Sequence, residues 1–455
     1  MPDSFRTDPE LRPDTMTQFA LTKLAARPAA ALLLTVALPA SAQVSFTGFG
    51  TVGWAVSDQS FAFQRDLSRD GSFNRDSRFG LQMDARFSDQ LSFVAQGKAA
   101  PSIQRDDSWD ATLAWAFLAW RPNNDLLLRL GKVRVPYYLN SANIDVGVTY
   151  TAAQLPIELY SISPTNETTG ISFSQSWTLG TADATLDGYW GISDSHFRFF
   201  MRDDLTAFGG PPRGAVYLPT RIDSRGLALT LQRQDTTLRL GIHQASASRR
   251  DGGVFQTEFP FVSVAPGMGF YVGDAASSPP GVTLPTEKHL HFQVFTAGFE
   301  VNLGADTSLA VEYARRRNTN ATRGGLNSQG AYLALQRKIG PWTPYLSIAR
   351  LLSQDSVLDL YQAVNGNRVS APPLASATAA RINASQRLIA DRLAVYDQGT
   401  LALGTAYTLS PTQKLKAEWA VTRVGKVSNF VDGPAGGDVR NRNINVVSFS
   451  YNFTF

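Results

Sequence analysis

The chain has 455 residues, with 42 basic and 38 acidic side chains, a net charge of +4 and no cysteine. The weak and scattered positive charge argues against a nucleic-acid-binding protein. The lack of cysteine excludes disulfides and thiolate metal sites, and the lack of an apolar run of about 18 residues after residue 42 excludes a helical inner-membrane protein.

The first 42 residues have the order of a secretory signal peptide. Lys23 and Arg27 precede an apolar stretch, residues 29–38, which leads to the Ala-Ser-Ala of residues 40–42. The apolar stretch is too short for a transmembrane helix, which takes about 20 residues, and it has the position of a signal-peptide core. We expect cleavage after residue 42 and a true start at Met16, because the stretch before Met16 is acidic.

Beyond residue 42, apolar and polar residues alternate in short segments along the whole chain. In segment 77–87, Phe79 and Met83 share one face of an extended strand, while Asp84 and Arg86 share the opposite face. Several charges on one strand face are costly in the core of a soluble sandwich but are tolerated in a water-filled lumen. The segment therefore favours a membrane barrel over a soluble sandwich.

Sixteen such segments are predicted, and the connections between them alternate between short and long. The predicted strands are 44–56, 77–87, 91–100, 110–120, 126–133, 170–179, 181–191, 225–232, 236–247, 290–303, 307–317, 324–339, 342–353, 395–409, 413–424 and 443–455. Outer-membrane barrels have an even number of strands, short periplasmic turns and long extracellular loops. We therefore predict one all-β domain, residues 43–455, folded as a single antiparallel transmembrane β-barrel of about 16 strands.

The connection after the fifth predicted strand, residues 134–169, is long but rich in aromatic residues and proline and poor in charge, as in Pro136-Tyr137-Tyr138. With this loop, the N-terminal strand 44–50 and the terminal Phe455, the topology resembles the Gram-negative outer-membrane general porin family. The resemblance is architectural, covers the whole mature chain and has no diagnostic motif, since the Pro-Glu-Phe-Gly-Gly run of enterobacterial members is absent from the loop. It implies a trimeric 16-stranded channel that is narrowed by the inward-folding loop.

The resemblance also implies a constriction at which acidic residues of the loop face basic residues of the barrel wall. The loop offers Asp145, Glu158 and Glu167. The wall is expected to offer Arg78, Asp84, Arg86, Lys98, Arg129, Arg239, Glu312, Lys338, Lys416 and Glu418. Because basic residues outnumber acidic ones on the wall, a mild preference for anionic solutes is one hypothesis. The alternative is that these charges pair with one another and give no selectivity.

Lys132 and Arg134 are expected at the mouth of the channel. Neither can share a face with Arg129 in an unbroken strand, because successive side chains of a strand point to opposite faces. A bulge at Gly131 would bring them to one face. Otherwise both residues lie above the membrane or in the loop itself.

Tryptophans and histidines give weaker signals. Six tryptophans near strand ends are interpreted as interfacial girdles, with a sugar-binding stack as the rival interpretation. They are Trp54, Trp109, Trp120, Trp190, Trp342 and Trp419.

His289 and His291 could form a metal pair but lack a third ligand, so no metal is expected. His243 is expected to be a solvated pore residue. The loop aromatics Phe255, Phe259, Phe261, Phe270 and Tyr271 are expected either to pack over the mouth or to contact another subunit.

These features predict a passive diffusion channel for small hydrophilic solutes in the outer membrane of a Gram-negative bacterium, without a cofactor, enzymatic activity or nucleic-acid partner. The expected partners are outer-membrane lipid, two further copies in a homotrimer, and the barrel-assembly machinery, through the C-terminal strand that ends at Phe455. The main alternative is a monomeric, substrate-specific channel of about 18 strands. A barrel enzyme and an adhesin are further alternatives.

Overall fold

The protein is described here by a computed structural model that covers residues 43–274, 278–321, 326–436 and 438–455. The predicted signal peptide, residues 1–42, lies outside the described residues. Within them, 16 antiparallel strands close into one barrel, in which each strand pairs with its neighbours in the sequence and the first strand pairs with the last. The predicted fold class is confirmed.

Each predicted strand corresponds to one strand of the barrel. The strands are β1 (Gln43–Ser57), β2 (Arg78–Arg86), β3 (Leu91–Pro101), β4 (Trp109–Trp120), β5 (Leu126–Arg134), β6 (Glu167–Leu179), β7 (Ala182–Met201), β8 (Gly214–Arg233), β9 (Thr236–Arg249), β10 (His289–Gly304), β11 (Thr307–Asn318), β12 (Ser328–Arg337), β13 (Trp342–Ser353), β14 (Tyr396–Ser410), β15 (Gln413–Ser428) and β16 (Arg442–Thr454). The alternative of an 18-stranded barrel is wrong, because the closed ring contains 16 strands.

The outer surface of the barrel is apolar. In β10, Phe295, Phe299 and Leu303 are exposed on the outer face, while Val294 and Thr296 are buried on the inner face. A closed barrel satisfies its backbone hydrogen bonds within the wall, so strands can cross lipid without an unpaired edge. The chain is therefore an outer-membrane barrel.

The tryptophans also lie on the outside. Five of the six named above are exposed: Trp109, Trp120, Trp190, Trp342 and Trp419. Trp54 is half-buried against the loop at Gly71. Their exposure favours interfacial girdles over a sugar-binding stack inside the channel.

Short turns connect the strands at one end of the barrel. Residues 305–306 join β10 to β11, and both Ala305 (φ 47°) and Asp306 (φ 57°) have the positive φ that tight hairpin turns require. Long loops connect the strands at the opposite end. In outer-membrane barrels the short turns face the periplasm, and we name the two ends of this barrel accordingly.

The predicted long loop 192–224 is wrong. β7 continues to Met201 and β8 begins at Gly214, with continuous pairing between them. Beyond the bilayer the outer face no longer has to be apolar, and Asp194 of β7 lies 3.5 Å from Arg221 of β8 there. The alternation typical of a membrane strand therefore ends before the strand itself ends.

Other long connections also contain secondary structure. The inserted loop includes α1 (Ile157–Tyr160), and the connection between β13 and β14 contains α2 (Asp355–Gly366) and α3 (Ser376–Arg392). Val357, Leu358, Tyr361 and Val364 are buried on one side of α2, at a spacing that indicates a helix in the sequence. No helix among the described residues is long and apolar enough to cross a membrane.

Three pairs of short strands form small sheets in the extracellular loops of the described chain. They are Ala62–Phe63 with Val431–Asp432, Phe255–Gln256 with Thr286–Glu287, and Phe261–Ala265 with Met268–Tyr271. Phe270 is buried in a cluster with Val272, Val369 and Ile382 of α3. The burial of Phe270 favours packing over the mouth rather than a subunit contact for this residue.

Candidate functional site

The loop between β5 and β6 lies inside the barrel. The backbone N–H of Leu139 donates to the Glu312 carboxylate of β11 (2.8 Å), and that of Ala153 donates to the Tyr345 hydroxyl of β13 (2.9 Å). Since β11 and β13 lie far from β5 around the closed ring, the loop crosses the lumen. It therefore narrows the lumen.

Aromatic packing holds one side of the loop against the wall. Tyr137, Tyr138 and Tyr160 are at most 9% exposed and pack with Tyr189 of β7 and Tyr332 of β12. The Tyr138 hydroxyl donates to the Leu159 carbonyl (3.1 Å). Large aromatic side chains bury much apolar area and therefore dominate such a contact. The sequence indicated this packing only through the aromatic composition of the loop.

The other side of the loop carries Asp145, which is surrounded by cations. Its carboxylate lies 3.0 Å from Lys98 Nζ, 2.5 Å from Arg134 Nη2 and 3.7 Å from Arg78 Nη1. Burial alone would raise the pKa of Asp145, but the positive charges of Lys98, Arg134 and Arg78 outweigh it and hold the pKa well below its ordinary value. The structure thus brings together one predicted loop acid and two predicted wall cations, with Arg134 as a third.

Lys132 and Arg134 both bind Glu167, the first residue of β6. Lys132 Nζ lies 2.7 Å and Arg134 Nη1 lies 3.4 Å from the Glu167 carboxylate. Arg134 therefore bridges Glu167 and Asp145. Glu167 belongs to the wall at the root of the loop, not to its inner turn.

The bulge at Gly131, one of the two alternatives for Lys132 and Arg134, does not occur. Phe117 pairs with Gly131 and Leu118 with Leu130 in continuous register. Gly131 has a φ of +136°, and a Cβ at this position would lie 2.2 Å from the Ala116 carbonyl oxygen. The register shift instead lies between β3 and β4, at Gln96 and Gly97.

Three predicted acids are buried between the loop and the wall instead of facing an open lumen. Glu312 accepts hydrogen bonds from the Tyr160 (3.1 Å) and Tyr332 (2.8 Å) hydroxyls. Glu418 is also held by a neutral donor, the Tyr345 hydroxyl (2.7 Å).

The loop acid Glu158 is held by neutral donors as well. It accepts hydrogen bonds from Gln398 Nε2 (2.7 Å) and Thr400 Oγ1 (2.5 Å). Burial raises the pKa of Glu158. These acids hold the loop in place.

Lys416 has the same position beneath the loop. It is 3% exposed, its Nζ donates to the Ala152 carbonyl (2.8 Å), and it lies 4.0 Å from the ring centroid of Tyr150. The side chain contacts the loop through a carbonyl and an aromatic face, both of which attract a cation. Lys416 thus faces inward but is covered by the loop.

Arg129 and Arg239 line a cavity of about 360 Å³ on the inner side of the wall. Arg239 Nη2 lies 3.4 Å from Asp187 and donates to the Pro136 carbonyl (3.1 Å). Arg129 donates to Ser174, which in turn donates to Asp187 (2.6 Å). Two cations thus share one carboxylate in this cavity.

The remaining predicted wall residues are not among the cations and acids that contact Asp145. Arg86 is exposed and pairs with Asp89 of the periplasmic turn (3.0 Å). Asp84 accepts a hydrogen bond from Gln82 (2.9 Å). Lys338 follows the end of β12 and lies in a periplasmic connection, so its predicted place on the wall is wrong.

The expectation of a solvated His243 is also wrong. Its side chain is 3% exposed, lies 3.1 Å from the Tyr189 hydroxyl and packs 4.2 Å from the Tyr137 ring. His289 and His291 are exposed with their rings 6.4 Å apart. No group of three or more potential metal ligands occurs among the described residues.

At the extracellular end of the barrel, the β7–β8 hairpin, the β3–β4 and β15–β16 loops and α3 form a cover. The ion pairs that hold this cover together were not evident from the sequence. Arg198 of β7 lies 2.8 Å from Asp106 of the β3–β4 loop and 2.5 Å from Asp432 of the β15–β16 loop. Arg202 lies 2.6 Å from Asp391 of α3. These contacts join the β7–β8 hairpin to loops that begin elsewhere on the barrel.

No family model and no curated protein matches the sequence. The anion-selective porin from Comamonas acidovorans is similar in structure, with 12% identity, a TM-score of 0.48, and coverage of 91% of this chain and 100% of that chain. The outer membrane channel DcaP of Acinetobacter baumannii has 10% identity, a TM-score of 0.48 and coverage of 91% and 97%. OmpT of Vibrio cholerae, an outer-membrane protein, has 12% identity, a TM-score of 0.47 and coverage of 92% and 99%. At these identities no residue assignment is transferred to this chain.

Proposed function

We propose that this chain is a passive diffusion channel for small hydrophilic solutes, narrowed by the loop of residues 134–169. The observation that carries the proposal is the position of Asp145 opposite Lys98 and Arg78 inside a closed barrel. Opposed charges on a loop and a wall place a strong local field across the narrowest part of a lumen. Such a site sorts solutes by size and charge and needs no chemistry.

We further propose a mild preference for anions. Asp145 is shared among three cations, and Asp187 is shared between Arg129 and Arg239. Cations therefore outnumber carboxylates in both places. A positive excess along the path raises the local concentration of anions and favours their passage.

A substrate-specific channel is the second candidate. The observation that favours it is the extracellular cover, in which Arg198 ties two loops together through Asp106 and Asp432. No comparable observation among the described residues favours the barrel-enzyme alternative. A homotrimer and recognition of the C-terminal strand by the assembly machinery also remain proposals.

The test is single-channel conductance and reversal potential of the refolded mature chain in planar bilayers under a KCl gradient. We expect stepwise conductance, in triplets for a trimer, with an anion-selective reversal potential. Lys98→Glu should reduce the anion preference because it reverses a charge beside Asp145. Arg86→Glu is the matched control, since Arg86 lies at the periplasmic turn. No conductance from a folded protein would overturn the proposal, and an unchanged reversal potential in Lys98→Glu would overturn the assigned selectivity site.

A further inference from the structure

An internal chamber lies on the extracellular side of the inserted loop. It has a volume of about 350 Å³, within the range of about 300–1,000 Å³ that is common for small-molecule sites. Ser161 and Ser163 of the loop lie on one side, Ile222 of β8 and Phe292 of β10 belong to the barrel wall, and Ile389 of α3 belongs to the cover. A solute that entered beneath the cover would meet this chamber before the constriction.

The charge of the chamber is one-sided. Three arginines line it, namely Arg198, Arg316 and Arg392, and none of the described lining residues is Asp or Glu. The chamber therefore has a positive excess on its wall.

Arg198 is neutralised by two carboxylates, whereas Arg316 binds only neutral groups. Arg198 is paired with Asp106 and Asp432.

Arg316 is 8% exposed, and its guanidinium donates only to neutral acceptors. Nε donates to the Leu326 carbonyl (2.8 Å), Nη1 to the Ile162 carbonyl (3.0 Å) and Nη2 to Ser328 Oγ (3.3 Å). The position of Arg316 is thus fixed, and no carboxylate of the described residues pairs with it.

Arg392, the last residue of α3, faces the chamber. Its side chain is accessible, yet burial by the surrounding protein lowers its pKa, as expected for a group that faces an internal space. Its guanidinium lies 6.0 Å from the ring centroid of Phe199. The carboxylate of Asp274 partly opposes this pKa shift; it accepts a hydrogen bond from Ser385 (2.7 Å) and is not among the described residues that line the chamber.

The rest of the wall is largely apolar and aromatic. Six aromatic side chains line the chamber: Phe197, Phe255, Phe259, Phe292, Tyr396 and Phe430. A hydrated inorganic ion gains nothing from such a surface. A ligand with an apolar body gains binding free energy in proportion to the apolar surface that it buries against this wall. A carboxylate on that body also accepts a charge-assisted hydrogen bond from an arginine.

We infer that the chamber binds small organic anions with an apolar body, such as aryl or alkyl carboxylates. The inference rests on the proposed channel function for its place on the route, but binding itself does not require conduction. The apolar wall contacts the body of the ligand, and Arg392 donates to the carboxylate beside the charge of Arg316.

The test is isothermal titration calorimetry of the refolded mature protein in detergent with 4-phenylbutyrate, with empty micelles as the blank. Two further probes separate the two contributions: 4-phenylbutanamide lacks the charge, and acetate lacks the apolar body. We expect 4-phenylbutyrate to bind at least about tenfold more tightly than either, since a hydrogen bond to a charged group is worth about that factor. Equal binding of the amide and the carboxylate, or no binding of either, would overturn the inference.

Variants of α3 locate the site. Arg392→Gln should weaken the binding of 4-phenylbutyrate by about tenfold, and Arg392→Lys should retain most of it, because the lysine keeps the charge. Arg381→Gln is the matched control, since Arg381 is exposed on the same helix and does not line the chamber. Equal affinities in Arg392→Gln and Arg381→Gln would place the anion elsewhere and overturn the site.

Conductance of the same preparations separates this inference from the channel function. Conduction without binding of 4-phenylbutyrate would overturn the chamber and leave the channel standing. Binding without conduction would support the chamber and overturn the channel.

Discussion

Two acids of the same inserted loop, Asp145 and Glu158, meet the barrel wall in opposite ways. Both are nearly buried, at 6% and 2% exposure. Asp145 lies among three cations, whereas the side chain of Glu158 accepts its hydrogen bonds from the neutral groups of Gln398 and Thr400. Burial raises the pKa of Glu158, while at Asp145 the neighbouring cations reverse that effect and lower the pKa.

This difference separates two tasks within one loop. The Asp145 end carries the charge balance of the constriction, because three cations surround the Asp145 carboxylate there. The Glu158 end fixes the position of the loop, since Glu158 lies in α1 beside Leu159 and Ile162, which pack in the main apolar cluster. Changes at the first end should alter selectivity, and changes at the second should alter how firmly the loop is held.

Asp145→Asn should have the largest effect. It removes the negative charge that Lys98, Arg134 and Arg78 share, and loss of one partner from a buried ion pair costs about 3–5 kcal/mol. We expect a more anion-selective reversal potential in planar bilayers and faster hydrogen exchange of the amides of residues 143–149.

Glu158→Gln is the control for this change. The amide can still accept hydrogen bonds from Gln398 and Thr400, and no cation near it loses its partner. The reversal potential should therefore stay at the wild-type value. An equal shift of the reversal potential in Asp145→Asn and Glu158→Gln would show that the two ends do not have separate tasks.

Gly330→Ala should have a smaller effect, confined to the Glu158 end. A Cβ at Gly330 of β12 would lie 2.1 Å from the backbone oxygen of Glu158, so α1 would have to move away from the wall. Overpacking of this kind costs about 1–3 kcal/mol. We expect faster proteolysis within 155–163 in the refolded protein and an unchanged reversal potential.

Gly97→Ala provides the matched control. Gly97 also lies in a barrel strand, but a Cβ there would meet nothing within 4 Å. Proteolysis of the loop should then match the wild type. A loop equally resistant in Gly330→Ala and wild type would mean that α1 is not held by its close approach to β12.

The barrel could be predicted from the sequence because its signal is local and repeated. Alternating outward residues such as Phe295 and Phe299 recur in every strand, and the hydrophobic period of two fixes which side chains face outward. The helices α2 and α3 and the extended β7–β8 hairpin were missed because the membrane imposes no pattern beyond its surface. The buried apolar residues of α2 have the spacing of a helix, a period that the alternation of strands does not reveal.

The different roles of Asp145 and Glu158 could not be predicted, because they depend on the path of an irregular loop across the lumen. The wall cations Arg78 and Lys98 follow from strand parity, but their partner does not. One local signal did exist for Glu158, which lies between Ile157 and Leu159 in an apolar run. A lone acid in such a run indicates burial rather than a place on an open channel wall.

The smallest expected effect is an opposite response of the two ends to pH. A lowered pKa means that Asp145 stabilises the docked loop at any pH above the unfolded value of about 3.9, and that this contribution is lost only as the pH falls through the lower folded value. A raised pKa means that Glu158 favours docking when it is protonated. Its penalty therefore appears as the pH rises above the unfolded value of about 4.3 and is complete above the raised folded value.

Hydrogen exchange between about pH 4 and pH 8, corrected for intrinsic rates, measures this difference. Protection of residues 157–162 should fall as the pH rises, by about 1.4 kcal/mol for each unit of pKa shift, while that of residues 143–149 stays level. Glu158→Gln should remove the pH dependence at 157–162, because the amide does not titrate. If the dependence persisted in Glu158→Gln, another titrating group would control α1, and the contrast between the two ends would no longer rest on these two acids.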